Sequence, residues 1–198
     1  MMKTDGKELY SKKKYLLIKG ILDYLFSLLM LPFLLVLLLA VKIVYLFHKD
    51  YDKIIFRQIR VGKDERLFKI LKIRTMKAGA EEELDLLLND PRITKFGYFL
   101  RKSSLDEFPQ FINVLKGDMS IIGPRPLVPG ELEAHKGNKK YFRLKPGITG
   151  LWASRNRSII SYDDRLKIEY KYIDTVSLKT DLKIFFYTIL SILKKEGI

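Results

Sequence analysis

The chain has 198 residues, room for one domain of ordinary size with at most one appended segment. It has no cysteine, which excludes disulfides, thiolate catalysis and cysteine-type zinc sites together. Lys and Arg outnumber Asp and Glu by 37 to 23, and the formal charge of +14 calls for an anionic partner: nucleic acid, acidic lipid headgroups or a phosphorylated substrate.

Residues 1–19 are polar and Lys-rich and read as a basic leader. A signal peptide would place its apolar core nearer the start and a small-residue cleavage site after it, so this segment is expected to be retained. Residues 20–48 read as membrane-embedded. No charged side chain occurs between Tyr24 and Val41, and at ~1.5 Å per residue that stretch matches a hydrocarbon core of roughly 30 Å. Pro32 falls in its middle, removing one helical donor and pressing on the carbonyl of Leu28, so a bend is expected. Lys12, Lys13, Lys14 and Lys19 precede it, while Lys42, Lys49 and Lys53 follow, a bias that favours keeping both ends in the cytoplasm. A helix-break-helix hairpin dipping into one leaflet satisfies this, and an ordinary spanning helix with a tolerated proline is the alternative.

Residues 49–198 form the remaining unit. The stretch 54–62 is β-favouring and turns at 62–64; a second run, 67–75, alternates Phe68, Ile70 and Ile73 with Lys69, Lys72 and Arg74. Together they predict a short hairpin with a basic face. A helix is expected over 78–88, stopped by Asn89, Asp90 and Pro91, and another begins at 96–100. A further helix is expected over 104–115, ended by Gly117, then a proline-punctuated loop over 121–130 and a tight turn at 145–150. The last apolar run, 178–193, puts Leu178, Leu182, Phe185, Ile189 and Ile192 on one helical face. That face could lie on a membrane or pack onto the core.

Two segments carry candidate chemistry. Asp106 and Glu107 are adjacent carboxylates at the expected helix start, where Ser104 and Glu107 fit a capping box. The positive end of that helix would keep Asp106 ionised and attract phosphate, making it a candidate nucleophile or metal ligand. The run Gly123-Pro124-Arg125-Pro126 holds Gly123 and Arg125 extended. It offers the planar Arg125 fork to phosphate oxygens, although a turn arginine on the surface has the same pattern. Arg155 and Arg157 follow the 145–150 turn as further cations. His48 and His135 form no metal spacing and read as incidental.

In these residues the chain resembles the bacterial sugar transferase family, the monotopic phosphoglycosyl transferases. The resemblance runs in collinear order through Phe-Lys-Ile-Leu-Lys-Ile-Arg-Thr-Met at 68–76 and Asp-Pro-Arg-Ile-Thr-Lys-Phe-Gly at 90–97. It continues through 101–110, Asn-Val-Leu-Lys-Gly-Asp-Met-Ser-Ile-Ile-Gly-Pro-Arg-Pro at 113–126, and Pro-Gly-Ile-Thr-Gly at 146–150. It implies an α/β, mostly helical fold, with a reentrant membrane helix hairpin joined to a small cytoplasmic catalytic module bearing a short β-hairpin and membrane-surface helices. It implies Asp106 and Glu107 as the catalytic dyad, Asp106 attacking the sugar-linked phosphate of a UDP-sugar to release UMP, and undecaprenyl phosphate then accepting the phosphosugar. Mg²⁺ is the implied cofactor, held near Asp106, and Arg101, Arg125 and Arg157 match arginines associated with the substrate phosphates. Pro32 takes the place of the hairpin break, although the pair here is Leu31-Pro32 where members usually carry Ser-Pro. Arg155-Asn156-Arg157 likewise stands where many members have Asn-Gly-Arg. The implied location is the bacterial inner membrane with the catalytic module facing the cytoplasm, in contact with anionic lipids. A homodimer is compatible with the sequence. A nucleic-acid partner is not expected, since no recognisable nucleic-acid module is present and such a binder would not need the 24–41 stretch.

Overall fold

The computed structural model describes residues 4–48, 53–77, 90–131, 139–155 and 161–194, with side chains from residue 13 onward. Helix α1, Thr4–Phe47, is helical straight through Pro32 and through the expected boundary between residues 19 and 20. Its buried residues, Asp23, Ser27, Leu34, Val41 and Tyr45, recur at steps of four and seven, so one stripe faces the rest of the protein. The opposite face, including Leu25, Leu29, Phe33, Val36 and Leu39, is apolar and exposed.

The predicted hairpin is present. Strands β1, Ile55–Val61, and β2, Leu67–Ile73, pair antiparallel from Ile55 opposite Ile73 to Val61 opposite Leu67. A 3-10 turn, Lys63–Glu65, joins them. The helix expected from residue 96 is α2, Lys95–Lys102, whose N-cap Thr94 accepts a hydrogen bond from the Gly97 N–H. Gly97 is demanded by packing, because a Cβ there would stand 1.9 Å from the Thr75 carbonyl oxygen. The helix expected over 78–88 lies outside the described residues.

Residues 104–115 do not form the single helix expected of them. A 3-10 turn, Leu105–Glu107, is followed by Pro109 and only then by helix α3, Gln110–Leu115. Ser104 takes left-handed φ/ψ of 55° and 18° and makes no side-chain cap hydrogen bond, so the capping box is absent. The expected 121–130 loop and 145–150 turn each contain a short strand: β3, Ser120–Ile122, and β4, Gly147–Thr149, pair parallel. Gly123 lies where this pair closes, and a Cβ on it would approach the Lys145 carbonyl oxygen to 2.4 Å.

The chain continues through a 3-10 segment, Lys139–Arg143, and helices α4, Leu151–Arg155, α5, Tyr162–Thr175, and α6, Leu178–Leu193. The largest core gathers Tyr141, Leu151, Tyr172 and Ile184 from these elements, with Val61 of β1 and Leu127. A second joins Val41 and Tyr45 of α1 to Ile73 and Leu100, and a third joins Ile70, Val114 and Met119. Asn113 ties α3 to β2, its side chain accepting from the Leu71 N–H at 3.0 Å and donating to the Lys69 carbonyl at 2.8 Å.

Helices α1 and α6 share an inverted polarity. On α6 the inward stripe holds Asp181, Ile184, Phe185, Thr188 and Ser191, while Leu182, Phe186, Tyr187, Leu190 and Leu193 are exposed. Of the face expected on α6, Leu178, Leu182, Ile189 and Ile192 are exposed, so that face is not core packing. Asp181 accepts from Tyr15 at 2.6 Å and Tyr172 at 2.9 Å and pairs with Lys19 at 2.8 Å. Asp23 accepts from the Ser120 hydroxyl at 2.5 Å. Polar groups thus lock α1, β3, α5 and α6 together from inside, and hydrocarbon side chains point outward.

Candidate functional site

The Asp106–Glu107 pair lies where β2, α2 and the 3-10 turn meet. Helix α2 is moored to the chain after β2: the Thr94 N–H donates to the Thr75 carbonyl at 3.0 Å, and Arg101 Nε donates to Thr75 Oγ1 at 2.8 Å. Its C-terminal end passes through Ser103 and left-handed Ser104 into the turn, where the Glu107 N–H donates to the Ser104 carbonyl at 3.3 Å. Asp106 is 8% exposed, while Glu107 is partly exposed and pairs with Lys72 of β2 at 3.6 Å. Because α3 begins only at Gln110, Asp106 is not on the first turn of a regular helix. Lys72 is the cation that this geometry pairs with Glu107.

Asp90 opens the segment that leads into α2. Its carboxylate is gripped by Arg92, whose Nε and Nη2 donate to Oδ2 at 3.0 Å and 2.5 Å. These bonds hold its pKa down at about 2, helped by the Arg92 N–H and the charge of Arg101. Asp90 is therefore an ionised structural anchor at the entry to α2.

Arg125 is positioned by a different set of contacts. Tyr141 donates its hydroxyl proton to the Arg125 carbonyl at 2.9 Å. The guanidinium stands 5.5 Å from the Trp152 ring centre, within cation–π range. Arg165 lies 5.8 Å from the same ring and donates to Glu131 at 2.7 Å, while Glu131 also accepts from the Val128 N–H at 3.0 Å. Burial works to raise the Glu131 carboxyl, but the Val128 N–H and Arg165 outweigh it and bring it below the usual range. Burial pushes Glu169 up to about 7, against the lowering influence of the Arg125 N–H and the Arg165 and Arg125 charges. Tyr141 is raised well above the usual tyrosine value by burial and then by the Glu169 charge.

The structure moors Arg101 to Thr75 and sets Arg125 on its own scaffold. Arg157 lies outside the described residues, as does His135. Arg155 stacks on Tyr187 of α6 at 5.3 Å. Pro32 is exposed within α1. Sequence reasoning passed over Lys72, Thr75, Trp152, Arg165 and Glu169. Glu169 could have been found from periodicity, since it shares the inward stripe of α5 with Tyr172 and Ile173.

The family model described as bacterial sugar transferase matches residues 14–195. A UDP-galactose-lipid carrier transferase of Erwinia amylovora is 40% identical over 175 residues, covering 79% of this chain and 37% of the relative. An undecaprenyl-phosphate galactose phosphotransferase of Salmonella typhimurium is 39% identical over 175 residues, covering 78% and 37%. The exopolysaccharide production protein ExoY of Rhizobium meliloti is 37% identical over 166 residues, covering 75% and 74%. The chain therefore spans well under half the length of the first two relatives and about three quarters of the third.

Proposed function

Since the chain belongs to the bacterial sugar transferase family, we propose that it transfers a sugar 1-phosphate from a UDP-sugar to undecaprenyl phosphate at a membrane surface, as a step in polysaccharide synthesis. The observation that carries this reading is the buried Asp106 beside Glu107, with Glu107 paired to Lys72, on a protein whose α1 and α6 turn apolar faces outward. In the first step an Asp106 carboxylate oxygen attacks the sugar-linked phosphorus, and the bond from that phosphorus to the bridging oxygen breaks. UMP leaves with the electron pair, and a phosphosugar remains on Asp106. In the second step an oxygen of undecaprenyl phosphate attacks the same phosphorus and releases the carboxylate. Glu107 assists, and Arg101, Arg125 and Arg157 neutralise phosphate charge.

Mg²⁺ fits the donor set. Among the described residues no three His, Asp or Glu side chains group to hold a metal by themselves. One carboxylate, here Asp106, together with substrate phosphate oxygens and water, is nevertheless an ordinary Mg²⁺ environment. When bound, the ion would offset the repulsion between the carboxylate and the diphosphate.

The segment Lys13–Phe47 is long and apolar enough to cross a membrane. The helix runs unbroken through Pro32 and so lacks the expected break. Its contacts support keeping both of its ends on one side of the membrane, the cytoplasmic side by the charge bias. Lys19 and Asp23 bind Asp181 and Ser120, while Val41 and Tyr45 pack on Ile73 and Leu100. Asp23 and Tyr45 would be roughly 33 Å apart along a straight helix, yet both ends bind the same body. That body cannot occupy both sides of a bilayer. With cysteines introduced at Lys13 and Lys53, an impermeant maleimide should label neither in intact cells, and labelling of one alone would sink the one-sided placement.

The catalytic reading is tested with radiolabelled UDP-sugars and no polyprenyl phosphate. Wild-type protein should retain label and release UMP, while Asp106→Asn should do neither. If rapid quenching never finds label on the wild type and the kinetics require a ternary complex, the covalent route is wrong.

A further inference from the structure

Thr75 lies just past β2 and is 5% exposed. Helix α2 and its cap reach it at three positions. The Thr94 N–H and hydroxyl donate to the Thr75 carbonyl at 3.0 Å and 3.3 Å. Gly97 packs so closely that a Cβ on it would stand 2.8 Å from the Thr75 Cα. Arg101 completes the series, its Nε donating to Thr75 Oγ1 at 2.8 Å. Residues 94, 97 and 101 are three and four apart, the spacing of one helical face. The first two contacts are made to the main chain of Thr75, which any residue would supply. Only the third uses its side chain.

That third contact is unusual in what it leaves over. Arginine carries five N–H donors, and the hydroxyl takes the one on Nε, so four remain on the two Nη groups. Among the described residues no carboxylate stands within ion-pair distance of Arg101, and Thr75 is the hydrogen-bond partner of its guanidinium. A side chain needed only to staple a helix to a strand has no use for a charged, planar head with its far edge unmatched. Arg92 shows the contrast nearby, because its Nε and Nη2 both close on the Asp90 carboxylate.

We propose that Thr75 is a positioning residue for Arg101: its hydroxyl holds Nε and so sets the plane of the guanidinium, which meets a substrate phosphate end-on through both Nη groups. The same bond closes the other edge, formed by Nε and one Nη, to phosphate. The phosphate role of Arg101 rests on the function proposed above; the bond to Thr75 does not. Lysine could not do both tasks at 101, since a single ammonium has no second, parallel donor to offer once it lies on Oγ1.

The test is a double-mutant cycle on the full-length protein in detergent micelles or nanodiscs. It is read as kcat/KM for UMP release from the UDP-sugar that wild type turns over, with undecaprenyl phosphate present. Thr75→Val keeps the shape and both main-chain contacts but removes the acceptor, and should lower kcat/KM about tenfold. Thr75→Ser restores the acceptor and should stay within about threefold of wild type. Arg101→Met should lower kcat/KM about a hundredfold, and adding Thr75→Val to it should cost less than about twofold more, because the hydroxyl then has nothing to hold. A residue that merely shaped the entry to α2 would behave otherwise. Its replacement would lower the thermal midpoint, and its loss of activity would multiply with that of Arg101→Met.

Three results would overturn the proposal: a folded Thr75→Val with wild-type kcat/KM; a Thr75→Ser enzyme as impaired as Thr75→Val; or losses that multiply in the double variant. If Thr75→Val does not fold, Thr75→Ala, which also lacks the acceptor, takes its place in the cycle. Failure of the functional reading has a different signature, since wild type would then release no UMP from any UDP-sugar. The Thr75 role falls with it in that case, whereas an active enzyme whose losses multiply sinks the Thr75 role alone.

Discussion

The Asp106 turn and the Arg125 loop both present a charged side chain, yet they are held in place by opposite means. Arg125 is fixed through its backbone, with prolines at 124 and 126 and the buried Tyr141 hydroxyl on its carbonyl. Asp106 is fixed by the path of the chain, entering from the end of α2 through left-handed Ser104 into one 3-10 turn. Under the proposed function the difference matches the task of each group. A guanidinium that neutralises phosphate needs a constant position, and anchoring at the main chain leaves its five donors free for the ligand. A carboxylate that forms and breaks a bond needs approach along one line, which a tight turn between packed elements provides.

The largest expected effect is at the turn. Asp106→Asn should reduce UMP release by at least ~10³-fold, since an amide of the same shape is not a nucleophile. Its thermal midpoint should stay near wild type, because Ser104 and the packing of α2 and β2 shape the turn. A comparable loss of stability would mean that the Asp106 charge holds the turn together, and the contrast with Arg125 would disappear.

Next is the pH dependence of the Arg125 scaffold. The folded value of Glu169, about 7, lies above the ~4.3 of an unfolded glutamate, so the fold favours the neutral carboxyl. Its contribution is complete below the unfolded value and is lost as pH rises through about 7. The full loss is of order 4 kcal/mol, at 1.36 kcal/mol per unit. Thermal midpoints measured at pH 5 and pH 8.5 should fall further apart in wild type than in Glu169→Gln. Equal differences would show that Glu169 titrates in the fold as it does in the unfolded chain.

Arg125→Lys comes third. It keeps the charge and loses the fork, and should cost at least ~1.5 kcal/mol in kcat/KM, the lower range for a charge-assisted hydrogen bond. An enzyme with unchanged UMP release would reduce Arg125 to a turn residue.

Most of this scaffold is more legible in the amino-acid pattern than the turn is. The β1–β2 hairpin follows from alternation, and helix α6 occupies the residues predicted for it. Asp106 and Glu107 stand out as paired carboxylates beside a basic strand. Their local structure does not, because Ser-x-x-Glu describes a capping box and an ordinary turn equally well, and Pro109 delays the helix. Strands β3 and β4 were hidden for another reason. Three-residue strands bracketed by Gly and Pro look like turns, and their parallel pairing joins positions 27 residues apart, Ser120 to Gly147, which no local pattern records. Asp181 and Glu169 each break an inward apolar stripe, a signal present in the sequence but meaningful only once their partners are known.

The smallest effect tests how the turn is built. A capping box at Ser104 predicts that Ser104→Ala costs about 1 kcal/mol and Ser104→Gly only a few tenths. The observed φ of 55° predicts another order. A non-glycine residue pays roughly 1–2 kcal/mol in the left-handed region, and glycine is exempt. Glycine also loses more backbone freedom on folding, which offsets part of that gain. Ser104→Gly should therefore stabilise the protein by up to about 1 kcal/mol, and Ser104→Ala, with no cap to lose, should change it by less than about 0.5 kcal/mol. Denaturant midpoints of the three proteins at one pH separate the two orders, because glycine ranks above serine only if the chain turns left-handed at 104. Asp106 stands two residues beyond that position. A glycine variant that is more stable and still releases UMP at the wild-type rate would establish that the turn, and not a capped helix, delivers the carboxylate.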